Sequence, residues 1–271
     1  MKRFVLGLLP LGLRATLRAK RYFNTGEPEV RWLARLIDPA RASIDVGANN
    51  GVYSWWMSRL SVHCYAFEPN PVFQAEIKAS GRNITPSSVA LSNVRGVAQL
   101  FIPADRQTGN DLTGLATLRQ GEDAAGRTFE VQLAPLDSFD MQPVGLIKID
   151  VEGHEMEVLE GALTLISRDR PIVLIEAEER HRLNAVGSLV EWFARLDMTG
   201  FWLKDDIWHP VSQFRWQEHQ NPASIDEATQ RSRDPYFNNF IFVPVERLAA
   251  YPFLKMPDSR NWSAVGGSVD T

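Results

Sequence analysis

Three ionisable side chains stand two residues apart in Lys148-Ile149-Asp150-Val151-Glu152, and Gly153-His154-Glu155 follows at once. In an extended strand, residues i, i+2 and i+4 share one side, so Lys148, Asp150 and Glu152 are expected to point together. The run Leu146 to Asp150 otherwise reads as a buried parallel strand, and such strands are normally apolar on both faces. Charges at its carboxyl end are best explained by a site, because ligands bind at that edge of open sheets. Gly153 permits a tight turn and puts His154 at the start of the next helix. There the dipole disfavours the imidazolium and keeps a neutral base able to accept a hydroxyl proton. The plainer alternative is a buried Lys148–Asp150 or Lys148–Glu152 pair, with His154 as an ordinary helix-start residue.

A second candidate lies earlier, in Ile44-Asp45-Val46-Gly47-Ala48-Asn49-Asn50-Gly51-Val52-Tyr53-Ser54, where a glycine-bearing turn joins a strand to a helix. Glycine lets the backbone approach a ligand closely, and a helix start offers unpaired N–H groups to a carboxylate or a phosphate. The spacing is Gly-x-x-x-Gly and does not satisfy the dinucleotide fingerprint Gly-x-Gly-x-x-Gly. Asp45, just before the first glycine, could meet an ammonium group. Glu68, in Phe67-Glu68-Pro69-Asn70, falls 21 positions after Gly47, where a nucleotide fold places a carboxylate on ribose hydroxyls. The bland alternative is a plain strand-to-helix turn with Glu68 capping a helix.

The elements that must hold these residues alternate in type. Ser43 to Val46, Cys64 to Glu68, Val89 to Leu91, Leu146 to Asp150 and Ile172 to Glu176 read as buried parallel strands. Helical spacing fills Tyr53 to Leu60, Pro71 to Ser80 and Glu155 to Ser167, with a lead-in helix over Glu29 to Ile37 stopped by Asp38-Pro39. Gly200 to Lys204 and Asn239 to Val243 add late strands. This alternation predicts an α/β fold with a doubly wound, mostly parallel sheet. Asp105 to Arg127 reads as a surface loop, and the tail after Pro257 as disordered. The expected layout is a helical segment over 1–40, one catalytic domain over 41–256 and a tail over 257–271.

Together these motifs closely resemble the FkbM family of methyltransferases. The likeness lies in Asp45-Val46-Gly47-Ala48-Asn49-x-Gly51-x-x-Ser54, Phe67-Glu68-Pro69, Ala90-Leu91-Ser92 and Lys148 through Glu155, and Leu159-Glu160-Gly161-Ala162 extends it. The resemblance implies a Rossmann-like fold of the S-adenosylmethionine methyltransferase type. It also implies that Asp45, Gly47, Asn49, Gly51, Ser54, Glu68, Pro69 and Ala90 hold S-adenosylmethionine, with Val89 to Ser92 flanking the adenine. Asp150 and Glu152 would border the methyl group. O-methylation of a sugar, glycan or polyketide-type hydroxyl is the implied reaction, with His154 the preferred base, Asp150 the alternative base or orienting group, and Lys148 an electrostatic support. A nicotinamide-dependent oxidoreductase or a non-catalytic binding module would be the alternatives.

Composition narrows the partners. The 271 residues carry a formal net charge of -4, which offers no broad basic surface for a nucleic-acid backbone. The single cysteine, Cys64, excludes an internal disulfide and a cysteine zinc cluster, and fits a cytoplasmic protein. Lys2 and Arg3 before the apolar run Phe4 to Leu13 superficially copy a secretory signal. The run lacks a clean cleavage site and is too short to span a bilayer, so a packed helix is the first expectation and a membrane-surface role the second. The expected partners are a small-molecule or glycan acceptor and a further copy of the chain, with no nucleic acid and no transmembrane segment. No metal is expected, although Glu176, Glu178 and Glu179 could join Asp150 around a divalent cation. Trp202, Trp208 and Trp216, with His209 and His219, are expected chiefly in the core and otherwise stacked on an acceptor. A polar side chain among Tyr236, Asn238 and Asn239 could reach the site's rim.

Overall fold

The computed structural model describes residues 9–103, 118, 126–221, 225–226, 231–232 and 235–254. The expected loop over Asp105 to Arg127 and the expected tail after Pro257 fall almost wholly outside them, as do residues 4–8 of the apolar run.

Helices α1 (Leu11–Thr25) and α2 (Leu33–Leu36) precede β1 (Ala42–Val46), α3 (Val52–Leu60), β2 (Cys64–Phe67), α4 (Gln74–Ser80), β3 (Ile84–Ser87) and β4 (Ala90–Leu91). Then come β5 (Gly96–Pro103), β6 (Gly126–Ala134), β7 (Val144–Ile149), α5 (Glu155–Glu160), α6 (Leu163–Asp169), β8 (Ile172–Glu176) and α7 (Ala185–Ala194). The chain continues through β9 (Met198–Lys204), β10 (Ile207–Pro210), α8 (Trp216–His219), β11 (Ile225–Asp226), β12 (Arg231–Ser232) and β13 (Asn239–Pro244).

The main sheet has the order β10-β9-β13-β8-β7-β1-β2-β3. Strands β8, β7, β1, β2 and β3 are parallel, and β13 runs antiparallel to both β8 and β9. Period-two alternation sorts the strand residues onto the two faces. Ile147, Ile149, Val173, Ile175, Phe240 and Phe242 join one apolar cluster with α5, α6 and α7. Leu146, Ile172, Leu174, Ile241 and Val243 join the other, with α2, α3 and α4. Both faces are thus covered, which is why these strands read as continuous apolar runs.

The structure shifts three expected elements. The third parallel strand is Ile84–Ser87, paired with β2, and Val89 to Leu91 instead supplies β4 of a separate sheet with order β4-β6-β5. Pro86 obscured β3 in the sequence, and an edge strand tolerates it because one side needs no partner. The expected single helix from Glu155 to Ser167 breaks at Gly161-Ala162, where a Cβ on Gly161 would lie 2.1 Å from the Ser92 carbonyl oxygen. Asp137 then caps the second piece by accepting from the Thr164 and Leu165 amides. The expected lead-in helix is a 3-10 turn over Pro28–Trp32 followed by the short α2.

Candidate active site

The strand order reverses between β1 and β7, and the crevice above their carboxyl ends is the favoured ligand position in such sheets. A cavity of about 400 Å³ lies there. Val46 to Asn50 form one wall, Phe67, Glu68 and Pro69 a second, Val89 to Leu91 a third, and Lys148, Asp150, Val151, Glu152 and His154 the fourth.

Gly47 has φ +75°, and a Cβ there would sit 1.7 Å from the Asp150 carbonyl oxygen. Only glycine allows β1 and β7 to come so close just past the strand ends. Asn49 is also left-handed (φ 47°), as is Gly51 (φ 76°), which precedes α3. Three positive-φ residues in five wrap the loop, and Gly47 and Ala48 anchor it by donating to the Phe67 carbonyl.

Glu68 is buried, and its two oxygens accept separately from the Asn49 amide (2.7 Å) and the Asn70 amide (2.8 Å). Burial pushes its pKa up to about 7, although both amide bonds favour the carboxylate. Asn70, through its side chain, performs the capping role that Glu68 alone suggested, accepting from Val72 at 3.1 Å.

Asp45 and Ser54 do not reach the cavity. Ser54 Oγ donates to Asp45 Oδ2 at 2.5 Å, and both residues are fully buried behind the glycine turn. Asp45 lies in register with Lys148 on the neighbouring strand. Burial raises the Asp45 carboxyl while the Lys148 charge opposes the shift. On the cavity side, Lys148 Nζ pairs with Asp150 Oδ2 at 2.7 Å and stands 4.7 Å from the Tyr53 ring centre. Burial works against the ammonium, but Asp150, Asp45 and Glu27 overcome it and hold its pKa above the usual value.

The sequence expectation that Lys148, Asp150 and Glu152 share one side holds for the first two, which are ion-paired. β7 ends at Ile149, and Glu152 is left-handed (φ 52°), so its side chain turns to His181 with Oε2 2.8 Å from Nε2. Burial acts downward on His181, but the Glu152 carboxylate raises it. His154 lines the cavity and precedes α5, with Nε2 3.0 Å from Ser92 Oγ and Nδ1 3.7 Å from Glu157 Oε2.

Glu176 and Asn238 reach the same cavity from β8 and the approach to β13. Asn238 Nδ2 donates to Glu176 Oε1 at 2.5 Å and to Glu178 Oε1 at 3.2 Å. Burial, then the Asp150 carboxylate, raises Glu176 well above the usual carboxyl range. Burial also acts upward on Glu178, but Arg180 beside it wins and lowers it. Glu179 is used elsewhere, accepting from the Asn184 and Val186 amides. Among the described residues, no group of three or more His, Cys, Asp or Glu is arranged to hold a metal ion.

Sequence reasoning missed Arg18, Tyr22, Glu27 and Tyr53, which also line the cavity. Tyr53 OH donates to Glu27 Oε2 at 2.6 Å, and Arg18 donates to the Asn50 carbonyl at 3.0 Å, tying the N-terminal segment over the glycine turn. Trp202 and Trp208 are buried away from the cavity, Trp202 among Phe214, His219 and Phe237.

The Methyltransferase FkbM domain matches residues 45–201, more than half of the chain. A search of curated proteins finds no match. Among solved structures, the chain is similar to methyltransferase FkbM from Methylobacillus flagellatus KT, with 15% identity, a TM-score of 0.45, and 89% of this chain and 57% of that one covered. This chain therefore spans little more than half the length of that protein. A Streptococcus mutans protein assigned as a methyltransferase and crystallised with SAH shows 10% identity, a TM-score of 0.43, and 80% and 96% coverage. An rRNA methylase from Streptococcus thermophilus shows 13% identity, a TM-score of 0.42, and 80% and 95% coverage. The assignment rests on the domain match together with the motifs at Gly47, Glu68 and Lys148 to Glu155: the chain belongs to the FkbM family of S-adenosylmethionine-dependent methyltransferases.

Proposed function

We propose that the protein transfers a methyl group from S-adenosylmethionine to a hydroxyl of a sugar, glycan or polyketide-type small molecule. One observation carries the reading: the Glu68 pocket beside the glycine turn and the Lys148, Asp150 and His154 cluster open into a single cavity. Its volume lies within the range of small-ligand sites. Residues 41–256 would form the catalytic unit, with Arg18, Tyr22 and Glu27 of the 1–40 segment completing its wall. The single cysteine supports a cytoplasmic setting.

The cavity fits the methyl donor by its chemistry. Glu68 presents a buried carboxylate to ribose hydroxyls, Val89, Leu91 and Leu100 offer an apolar slot for a flat base, and Asp150 brings negative charge. When bound, S-adenosylmethionine supplies an electrophilic methyl group on sulfur. The protein's part is mainly to align the acceptor oxygen and exclude water. His154 would take the hydroxyl proton through Nε2, the atom now bonded to Ser92 Oγ, and Lys148 would fix the orientation of Asp150.

Calorimetric titration with S-adenosylmethionine and SAH, with NAD as control, tests the reading. Saturable binding of the sulfur ligands that Glu68→Ala weakens supports it, and clean folding without binding overturns it. The affinity for SAH should rise with pH up to about 7 and then level off, because ribose hydroxyls bond to the ionised form of Glu68. Below that point each pH unit should cost about tenfold, and Glu68→Gln should flatten the profile. Once an acceptor panel yields a methylated product by mass, His154→Gln should lower kcat by about 10²- to 10⁴-fold while SAH affinity is retained. An unchanged kcat would remove His154 as base.

A further inference from the structure

Helix α1 has two faces of different character. Inward, Ala15 and Ala19 are buried against Trp55 and Trp56, and Trp55 Nε1 donates to Thr16 Oγ1 at 3.1 Å. Small residues there let the helix lie close on α3. Outward, Leu13 and Leu17, one turn apart, are each 45% exposed, and Lys20 and Arg21 continue the same exposed side. Arg14 and Arg18 flank this face and bridge to Glu76, whereas among the described residues no carboxylate pairs with Lys20 or Arg21.

Charge is strongly segregated along the sequence, and four of the N-terminal cations, Arg14, Arg18, Lys20 and Arg21, stand on this helix. Of the chain's 29 Lys and Arg and 33 Asp and Glu, six cations and no acid fall in residues 1–26, so the remainder is negative by ten. An anionic surface would therefore attract α1 and repel most of the rest, which orients the molecule with α1 toward it. Two exposed leucines beside two unpaired cations match a helix lying in a lipid interface, the leucines entering the acyl boundary and the cations meeting headgroups. Among the described residues no helix is long and apolar enough to cross a membrane.

We propose that the outward face of α1 docks on an anionic lipid bilayer, holding the protein at its surface as a peripheral protein. Arg18 and Tyr22 of the same helix line the cavity, so the docked helix also supplies part of the site's wall. The docking surface is independent of the reaction assigned to that cavity.

Flotation of the full chain tests this, with vesicles of phosphatidylcholine alone and of phosphatidylcholine and phosphatidylglycerol at 3:1. The protein should float with the anionic vesicles at low salt, and less at high salt, and should stay unbound with the neutral ones. The double variant Lys20→Gln/Arg21→Gln should weaken partitioning by about 25-fold, from roughly fivefold per cation, and Leu13→Ser/Leu17→Ser should release the protein. Melting temperature and circular dichroism should be retained in both variants, since all four side chains are exposed. Absence of the wild type from anionic vesicles, or equal binding to both, overturns the proposal. So does a wild-type dimer by light scattering that the serine variant converts to a monomer without any vesicle binding, which would assign the face to a second copy. No methyl donor enters these readings, so their outcome stands apart from that of the titration.

Discussion

Gly47→Ala is expected to weaken SAH binding by about 100-fold or more and to lower stability by on the order of 3 kcal/mol. Two costs combine. The residue holds φ +75°, which an L side chain adopts only under strain, and its Cβ would be 1.7 Å from the Asp150 carbonyl oxygen. That oxygen belongs to the backbone just past β7, whose own amide donates to Val46 at 3.0 Å, so it cannot swing aside as a side-chain tip could. The glycine turn must move away from β7, widening the crevice that both halves of the site share. Gly51→Ala should be milder despite a similar φ of +76°, because the nearest atom is Ser80 Oγ at 2.9 Å, at the end of a side chain that can rotate. Urea unfolding and calorimetry on both variants check the order. A Gly47→Ala protein with wild-type SAH affinity would show that the turn does not contact the cofactor.

Lys148→Met should cost about 3–5 kcal/mol of stability, the range for deleting one partner of a buried ion pair. Methionine keeps the side chain's length and its packing beside Tyr53, so the loss reports charge more than volume. Lys148 faces two carboxylates, with Nζ 2.7 Å from Asp150 Oδ2 and its strand position in register with fully buried Asp45. Among the described residues Asp45 Oδ1 already lacks a hydrogen-bond partner, while Ser54 Oγ donates to Oδ2. Removing the ammonium leaves Asp45 the choice of an uncompensated buried charge or a proton. Asp150→Asn should cost less, because Asp150 is 26% exposed and Lys148 keeps Asp45 nearby. A loss under about 1 kcal/mol for Lys148→Met would place this pair with surface salt bridges.

The same pair shows how far local reading extends. A Lys148–Asp150 contact follows from two residues on one strand side, and it forms. The third member of that alternation, Glu152, departs from it because β7 stops at Ile149 and the backbone turns left-handed, toward a histidine supplied by the stretch after β8. Asp45 is a similar case. Its place before Gly47 suggested contact with the ligand, yet strand alternation carries it behind the turn, where Ser54 and Lys148 meet it. Tyr22 and Glu27 left no signal, since their arrival at the cavity depends on alanines of α1 packing against Trp55 and on the Tyr53–Glu27 hydrogen bond.

By itself the sequence determined the α/β alternation, the glycine turn after β1, the acid after β2 and the charged end of β7. Each is a matter of residue type and spacing within about ten residues, where backbone sterics and strand or helix periodicity act. Only the tertiary structure decided which strands are neighbours, that the reversal of order between β1 and β7 opens the crevice, and which side chains line it from outside those motifs. Those outcomes depend on contacts between residues far apart in the chain, such as Glu27 with Tyr53 and Glu152 with His181, whose geometry is set by the packing of the whole sheet.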